Sequence, residues 1–307
     1  MPQLPRDSLA EAIESGSTFA PIAVGTTWLS FSLQRFKLYQ IARDLNLAFY
    51  GHELKVKNGD SVYDDYRTMD DLASSWGPQA TALKDWAEEI PQALKNKREN
   101  GHAFSCAGSK LVLEQYAPLW LQRQRVLLEL EYHHLCINLY RPFISFSVPQ
   151  GESAVIMAAK CAQHAMELTS ITHQALTTTK ILHGWHEALQ WQWSAAMTMI
   201  GFVVANTQHS LALALRNSIG LAVSVLDIFA PSFEAAAKAV IIVRTLHTNI
   251  ESVMAQFEVG ADGLLEVSGE VPLLNKDVPL QDGIAGSVPN QFDAIGNDFD
   301  LIDMAMH

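Results

Sequence analysis

The residues of this chain whose types and spacing could bind a metal are its histidines, 11 among 307 residues. His183 and His186 lie three positions apart, a spacing that can bring two imidazoles to one face of a helix. Catalytic zinc needs a third ligand and a general base, and the HExxH order that supplies them is absent. His133, His134 and Cys136 point in different directions around a helix and cannot converge on one ion by themselves. We therefore predict no metal site, with His133 and His134 in the core or at its boundary and His183 and His186 at a partly exposed helix start near Gly184.

Motifs that would assign a reaction are missing from the sequence. The chain contains no GxSxG, GxxxxGKS/T or GxGxxG pattern, which would position a nucleophile, a nucleotide phosphate or a dinucleotide. Cys106, Cys136 and Cys161 are widely spaced and form no CxxC pair, so the sequence predicts free thiols and neither a disulfide framework nor a structural zinc. We expect the chain not to be an enzyme, to have no catalytic residues and to hold no cofactor of its own.

Polar side chains and tryptophans on the apolar helical segments indicate a different kind of site. The helices of an all-α regulatory domain can enclose a small metabolite between them. Trp185, Gln190, Trp193 and Asn206 could line such a pocket and bind a small-molecule inducer. The alternative is that the tryptophans, together with Trp191, fill the core. The sequence leaves both possibilities open.

Hydrophobic periodicity predicts the elements that must position these residues, and it predicts helices almost throughout. Gly51 ends the first amphipathic run, and Pro91 breaks or kinks a later one. No alternating pattern typical of a strand stands out. We predict an all-α, multi-helix domain of roughly eight to ten helices. Its helical segments are 28–49, Thr81–Lys97, Pro118–Arg141, Ser153–Thr172, Glu187–Asn206, Ser210–Phe229 and Phe233–Phe257.

Changes in composition predict the domain boundaries. We expect an N-terminal extension over residues 1–16, the helical domain over 17–257, and a disordered linker and acidic tail over 258–307. The longest apolar stretch, about Ala195–Ala205, is too short to span a bilayer, so we expect no membrane partner.

Charge is distributed unevenly along the chain. The formal net charge is −12, yet residues 1–250 hold 20 Lys and Arg against 22 Asp and Glu. Residues 251–307 hold one lysine against 11 acidic residues. Binding to a nucleic acid needs clustered Lys and Arg, and we interpret the one basic cluster, Lys95–Asn100, as an ordinary solvated loop. We predict that Arg125 and Glu129, an i,i+4 pair, lie on the more solvent-exposed side of their helix. From this charge distribution, we expect that residues 1–307 by themselves do not bind DNA.

The last residues of the chain alternate acidic and hydrophobic side chains. The acidic groups repel one another and keep the hydrophobic ones in water, a composition typical of activation segments that fold on a coactivator. As a short helix, such a segment could lie in a groove of its partner. The alternative is a solvated tail whose Phe side chains dock onto the body. The activation segment consists of Phe292, Asp293, Asp298, Phe299, Asp300, Leu301, Ile302, Asp303 and Met304.

Two segments carry a resemblance to a known family. LEYHHLCINLYRPF resembles the signature of the fungal-specific transcription factor domain, the middle homology region of fungal binuclear zinc-cluster regulators. LKDWAEEIPQALK is similar to an upstream element of that domain, and the two motifs occur in the family's order. The similarity covers about Trp28–Val253. The matching residues are Trp86, Ile90, Pro91, Tyr132, His133, Arg141, Pro142 and Phe143.

On physical grounds the Arg-Pro-Phe motif fixes a chain reversal at the end of a helix. Arg141 can satisfy the carbonyls at the helix C-terminus or pair with a carboxylate. Pro142 ends the helix, and Phe143 then folds back into the core. A second interpretation, in which Arg141 contacts a ligand, stays open.

The resemblance implies a nuclear regulator of RNA polymerase II genes, concerned with nutrients or secondary metabolism. It implies coactivator or corepressor proteins as partners, with DNA and zinc bound only through an N-terminal six-cysteine cluster. Three scattered cysteines cannot build that cluster, so the resemblance places DNA reading outside these residues. One alternative is a truncated paralogue that acts as a protein-interaction or corepressor-binding module. Another is a domain that senses a small metabolite without binding DNA.

Overall fold

The computed structural model of the protein describes residues 29–51, 65–79, 81–99, 109–112, 114, 117–146 and 150–265. In these residues the chain forms eight α-helices, which confirms the all-α class. The helices are α1 (Leu29–Tyr50), α2 (Tyr66–Gln79), α3 (Thr81–Glu89), α4 (Leu119–Tyr140), α5 (Glu152–Thr178), α6 (His186–Ala205), α7 (Ala212–Phe229) and α8 (Glu234–Leu265). Two short strands, β1 (Lys97–Arg98) and β2 (Leu111–Val112), pair in antiparallel orientation.

One hydrophobic core runs through the described helices, and α5 lies at its centre. α5 packs against α2, α4, α6 and α7. Its buried surface is rich in alanine, and Ala158, Ala162, Ala165 and Ala175 are fully buried. Small side chains let helix axes approach closely, so α5 can contact several neighbours along its 27 residues.

α7 is the one helix in the described part of the chain that is long and apolar enough to cross a membrane by length and composition. It packs against α5 and α6, and its side chains Leu215, Ile219, Val225 and Leu226 are fully buried. Burial between neighbouring helices accounts for its apolar composition.

The periodicity of the sequence did not predict α2. Its apolar residues Met69, Leu72, Ala73 and Trp76 nevertheless follow the i, i+3, i+4, i+7 pattern of one helix face, and all four are buried. Polar residues between them and the Gly-Pro pair in the last turn obscured this pattern.

α2 also anchors the beginning of α5. Asp70 of α2 accepts a hydrogen bond of 3.0 Å from the backbone N–H of Ala154, which satisfies one of the unpaired donors in the first turn of α5. Gly151 immediately precedes α5, and a side chain at that position would collide with the Asp70 carboxylate. The close approach of the two helices therefore requires a glycine there.

Two predictions about charged residues are wrong. The described residues 95–99 of the segment Lys95–Asn100 are not a solvated loop, because Asn96 and Arg98 are buried and these residues contain β1. Arg125 and Glu129 do not lie on a wetter side of α4, since Arg125 is 9% exposed and Glu129 is 0% exposed. The physical reason is that the turn before β1 packs against the side of α4 that holds these two residues, where Arg125 donates to the Ala93 carbonyl and Glu129 accepts from Asn96.

Two helices are longer than predicted. α5 continues to Thr178 instead of Thr172, and α8 continues to Leu265 instead of Phe257. The predicted start of the linker at residue 258 therefore falls inside the last helix. The predicted N-terminal extension and all residues of the predicted activation segment lie outside the described residues.

Candidate functional site

The two family-like segments meet through stacked aromatic rings. The Tyr132 ring of α4 lies nearly parallel to the Trp86 ring of α3, with 5.6 Å between centroids and 17° between planes. Trp86 also donates a hydrogen bond of 3.2 Å from Nε1 to the backbone carbonyl of Gln34 in α1. Both rings are buried, so the contact joins α1, α3 and α4. Two of the predicted signature residues are thus brought together.

Pro91 ends α3 and redirects the chain towards α4. α3 stops at Glu89, and the 3₁₀ turn Gln92–Leu94 follows Pro91. The predicted helical segment is interrupted before Lys97, because a residue that precedes proline disfavours the helical conformation. Leu94 is fully buried and the turn packs against α4, so Pro91 directs this turn into the core.

A buried pair of histidines adjoins the stacked rings. His133 of α4 and His164 of α5 approach to 2.9 Å between their Nδ1 atoms, so one imidazole donates and the other accepts. Burial lowers the pKa of His164 to about 4 and holds the pKa of His133 well below its usual range. Tyr140 stacks parallel to His164 at 5.9 Å. The His133 Nε2 atom is buried and has no hydrogen-bond partner in the described part of the chain.

The predicted reversal Arg141-Pro142-Phe143 forms a 3₁₀ turn directly after α4. Arg141 donates hydrogen bonds to the hydroxyls of Ser194 and Thr198 on α6, the second at 3.3 Å. These two residues lie four positions apart and so share one face of α6. The sequence predicted helix carbonyls or a carboxylate as partners of Arg141. It did not predict the two hydroxyls, because no local pattern links α4 to α6.

Phe143 packs into the core at the end of this turn. Its side chain is 1% exposed. Its ring lies edge-on to Phe49 of α1, with 5.8 Å between centroids, and 6.4 Å from the Trp76 ring of α2. The turn therefore connects α4 to α1 and α2 through aromatic contacts.

The histidines and cysteines with ligand-like spacing, for which no metal site is predicted, lie in separate environments. Across the described residues, no group of three or more His, Cys, Asp and Glu side chains could hold a metal ion. The His186 ring lies edge-on to Phe233 at 5.8 Å. Cys136 and Cys161 are buried free thiols, and burial raises the pKa of Cys161 to about 12. Cys106 lies outside the described residues.

A cavity of about 320 Å³ lies between α1, α4 and the beginning of α6. Of the four predicted pocket residues, only Trp185 lines this cavity. Gln190 and Trp193 flank the lining residue Trp191 along α6 and point about 100° and 200° away from it. Asn206 lies about 22 Å farther along the same helix axis, beyond reach of the cavity. The cavity is lined by Phe31, Arg35, Trp120, Arg123, Gln124, Leu127, Glu131, Trp185, Glu187 and Trp191.

An ion pair closes one side of the cavity. Arg35 donates to both carboxylate oxygens of Glu131, at 2.6 Å and 2.5 Å, and the Tyr39 hydroxyl donates to the same carboxylate at 2.7 Å. The hydrogen bond from Arg35 to Glu131 raises the pKa of the guanidinium further above its usual value. Glu131 is 0% exposed, and its charge is neutralised within the protein.

Comparisons with known proteins identify relatives among fungal regulators. The chain is 38% identical over 266 residues to the transcription factor asqA of Emericella nidulans, covering 83% of this chain and 47% of that protein. It is 34% identical over 259 residues to the terreic acid cluster-specific transcription factor atF of Aspergillus terreus, covering 79% of this chain and 38% of that protein. It is 28% identical over 122 residues to the oosporein cluster regulator OpS3 of Beauveria bassiana, covering 38% of this chain and 16% of that protein.

The chain thus spans about half the length, or less, of the curated relatives it matches. No family model and no solved structure matches it. These relatives are named as transcription factors or cluster regulators and not as enzymes. Over about four-fifths of its length, the chain is similar to fungal transcription factors.

Proposed function

We propose that this chain is the regulatory and activation part of a fungal transcription regulator that controls genes of secondary metabolism. The observation that carries this proposal is the 38% and 34% identity to asqA and atF over about four-fifths of the chain. The second of these relatives is named for a metabolite gene cluster. The proposed place of action is the nucleus, where RNA polymerase II genes are transcribed.

Charge supports a division of labour in which DNA is read elsewhere. Residues 1–250 are nearly neutral, and the chain as a whole carries a net charge of −12. A surface that binds phosphates by itself needs a cluster of Lys and Arg. Arg98, in the one basic segment of the sequence, is buried against Glu129 and not available to a phosphate. We assign DNA contact, and any zinc that supports it, to a region outside these residues or to a partner.

The helical body fits the role of a rigid platform. The Trp86–Tyr132 stack joins three helices, and the Arg141 turn ties α4 to α6. Contacts of this kind fix the relative orientation of helices that are distant in the sequence. A rigid body of this kind can carry an attached segment that contacts other proteins.

The C-terminal activation segment is the proposed contact to the transcription machinery. Its Phe, Leu, Ile and Met side chains alternate with aspartates that keep them accessible to water. A hydrophobic groove of a coactivator can bind such a segment as a short helix, with the aspartates on the outer face.

A reporter assay with the full chain fused to an unrelated DNA-binding domain tests the proposal. We expect transcription above background. The double substitution Phe299→Ala with Leu301→Ala should lower that signal at least several-fold, because it removes side chains that fill the groove. Leu273→Ala with Leu274→Ala is the matched control, as it removes two apolar side chains outside the activation segment.

Two results would count against this proposal. Background signal from the expressed fusion would refute an activating role. Equal signals from the activation-segment variant and the control would refute the role of the segment. A fall below the basal activity of the reporter would instead support the alternative function, a module that binds a corepressor.

A further inference from the structure

We propose that the cavity between α1, α4 and α6 binds a small planar aromatic carboxylate. The site is defined by the walls and charges of the cavity itself. It goes beyond the proposed function, since a purified chain can bind such a ligand whether or not it regulates transcription.

The walls of the cavity favour a flat, apolar ligand. Four of its ten lining residues are aromatic: Phe31, Trp120, Trp185 and Trp191. Phe31, Trp120 and Trp185 are half-buried, so their rings keep an accessible surface, whereas Trp191 is 8% exposed. Aromatic side chains pack well against other π systems, stacked or edge-on. The volume of about 320 Å³ is at the lower end of the range for small-molecule sites.

The charges of the cavity determine which ligand fits. Arg35 neutralises the charge of Glu131 and Tyr39 donates a hydrogen bond to the same carboxylate, so this carboxylate does not require a cation from the ligand. Arg123 is half-buried and lies over the Trp185 ring, 5.3 Å from its centroid. Among the described residues, the ion pairs do not include Arg123.

Arg123 retains the atoms that a carboxylate needs. Its Nε atom donates to the backbone carbonyl of Ile181 at 2.8 Å, which fixes the side chain against the turn before α6. A guanidinium carries five N–H groups, so those on its terminal nitrogens can bind both oxygens of one carboxylate. The contact with Trp185 holds the guanidinium plane at the cavity wall, where a ligand ring and its carboxylate can be bound together.

Glu187 is the one lining residue whose charge opposes an anion. It is exposed in the first turn of α6, where solvent and salt screen its charge. Arg123 is half-buried, and its charge is screened less. The balance of the two therefore favours an anionic ligand whose carboxylate lies against Arg123.

Binding of naphthoate to the purified full chain tests this site. We expect naphthoate to quench tryptophan fluorescence, because three tryptophans line the cavity, and to give a saturable calorimetric signal. The neutral analogue naphthamide has nearly the same shape and should bind about tenfold more weakly, because it cannot form the charge-assisted hydrogen bonds to Arg123.

Two variants distinguish the contribution of the Arg123 charge to binding from that of the aromatic wall at Trp185. Arg123→Gln should weaken naphthoate binding about tenfold or more and leave naphthamide binding little changed. Arg244→Gln is the matched control, because Arg244 is an exposed arginine of α8 and lies outside the cavity. This variant should bind naphthoate like the unmodified chain. Trp185→Leu should weaken both probes, since it removes an aromatic wall and keeps the cation.

The proposal is overturned if naphthoate does not bind, if naphthamide binds as tightly, or if Arg123→Gln keeps full affinity. Urea unfolding of each variant establishes that it is folded, and Trp185→Leu provides a second test if Arg123→Gln does not fold. None of these measurements depends on transcription, so failure of the reporter assay and failure of this site remain distinguishable.

Discussion

The carboxylate of Glu129 and the guanidinium of Arg98 form an ion pair inside the protein, with side chains that are 0% and 1% exposed. Asn96 donates a further hydrogen bond of 2.6 Å from Nδ2 to the second oxygen of Glu129. A buried charge is tolerated only when it is paired and hydrogen-bonded. The contact attaches β1 and the segment before it to α4, 31 residues along the chain.

Removal of one partner of this pair should be strongly destabilising. Arg98→Met leaves the Glu129 carboxylate buried without its cation, so we expect the free energy of unfolding to fall by about 3–5 kcal/mol. The exposed pair Arg244–Asp227 is the control, and Arg244→Met should cost no more than about 1 kcal/mol. Urea denaturation measures both values.

A double variant tests whether the cost comes from the unpaired charge. Arg98→Met combined with Glu129→Leu leaves no buried charge, so its cost should be smaller than the sum of the two single costs. Strictly additive costs would contradict the buried ion pair.

Phe143 and Phe146 provide a comparison between a buried and an exposed phenylalanine three positions apart. Phe143 is 1% exposed and Phe146 is 66% exposed. Phe143→Ala should lower the free energy of unfolding by about 3–5 kcal/mol, because it leaves a cavity between α1, α2 and the turn. Phe146→Ala should change it by no more than about 0.5 kcal/mol. Urea denaturation measures both changes. Similar losses of unfolding free energy in the two variants would contradict the burial of Phe143 in the core.

The buried histidine pair predicts a dependence of stability on pH. The folded-state pKa of His164 is about 4, below its unfolded value of 6.5, so between these pH values the unfolded state binds a proton that the folded state does not. The free energy of unfolding should therefore fall as pH decreases from 6.5 to 4, by roughly 3 kcal/mol for this group. His133 and His134, whose pKa values burial also lowers, act in the same direction.

Substitution of one histidine tests this assignment. His164→Gln should make the decline in stability between pH 6.5 and 4 shallower, with the remaining slope due to His133 and His134. The slope is read from thermal unfolding at a series of pH values, and an unchanged slope in His164→Gln would refute the prediction.

The two interpretations of Arg141 make different predictions. If the residue fixes the turn after α4 to α6, Arg141→Gln should cost about 1–3 kcal/mol of stability through its lost hydrogen bonds. Ser194→Ala should then have a smaller effect in the Arg141→Gln background than in the unmodified chain. If Arg141 serves only a ligand, both substitutions leave urea unfolding of the chain unchanged.

Local patterns in the sequence were enough for the class of fold and for most helices. The positions of Gly51, Pro91 and Pro142 predicted where helices end, because the backbone preferences of these residues act on immediate neighbours. The periodicity around Leu121–Leu139 predicted a long helix for the same reason. It could not show that the turn before β1 covers the side of this helix that holds Arg125 and Glu129, which is why these two residues were misplaced.

Tertiary structure alone decided which residues meet. Trp86 and Tyr132 stack across 46 positions of the sequence, and Arg141 reaches hydroxyls more than 50 positions away. The cavity likewise depends on the rotation of α6, which turns Trp191 inward and Gln190 away from it. Periodicity reports the face of one helix, whereas the crossing angle and rotation between helices arise from the packing of all their side chains together.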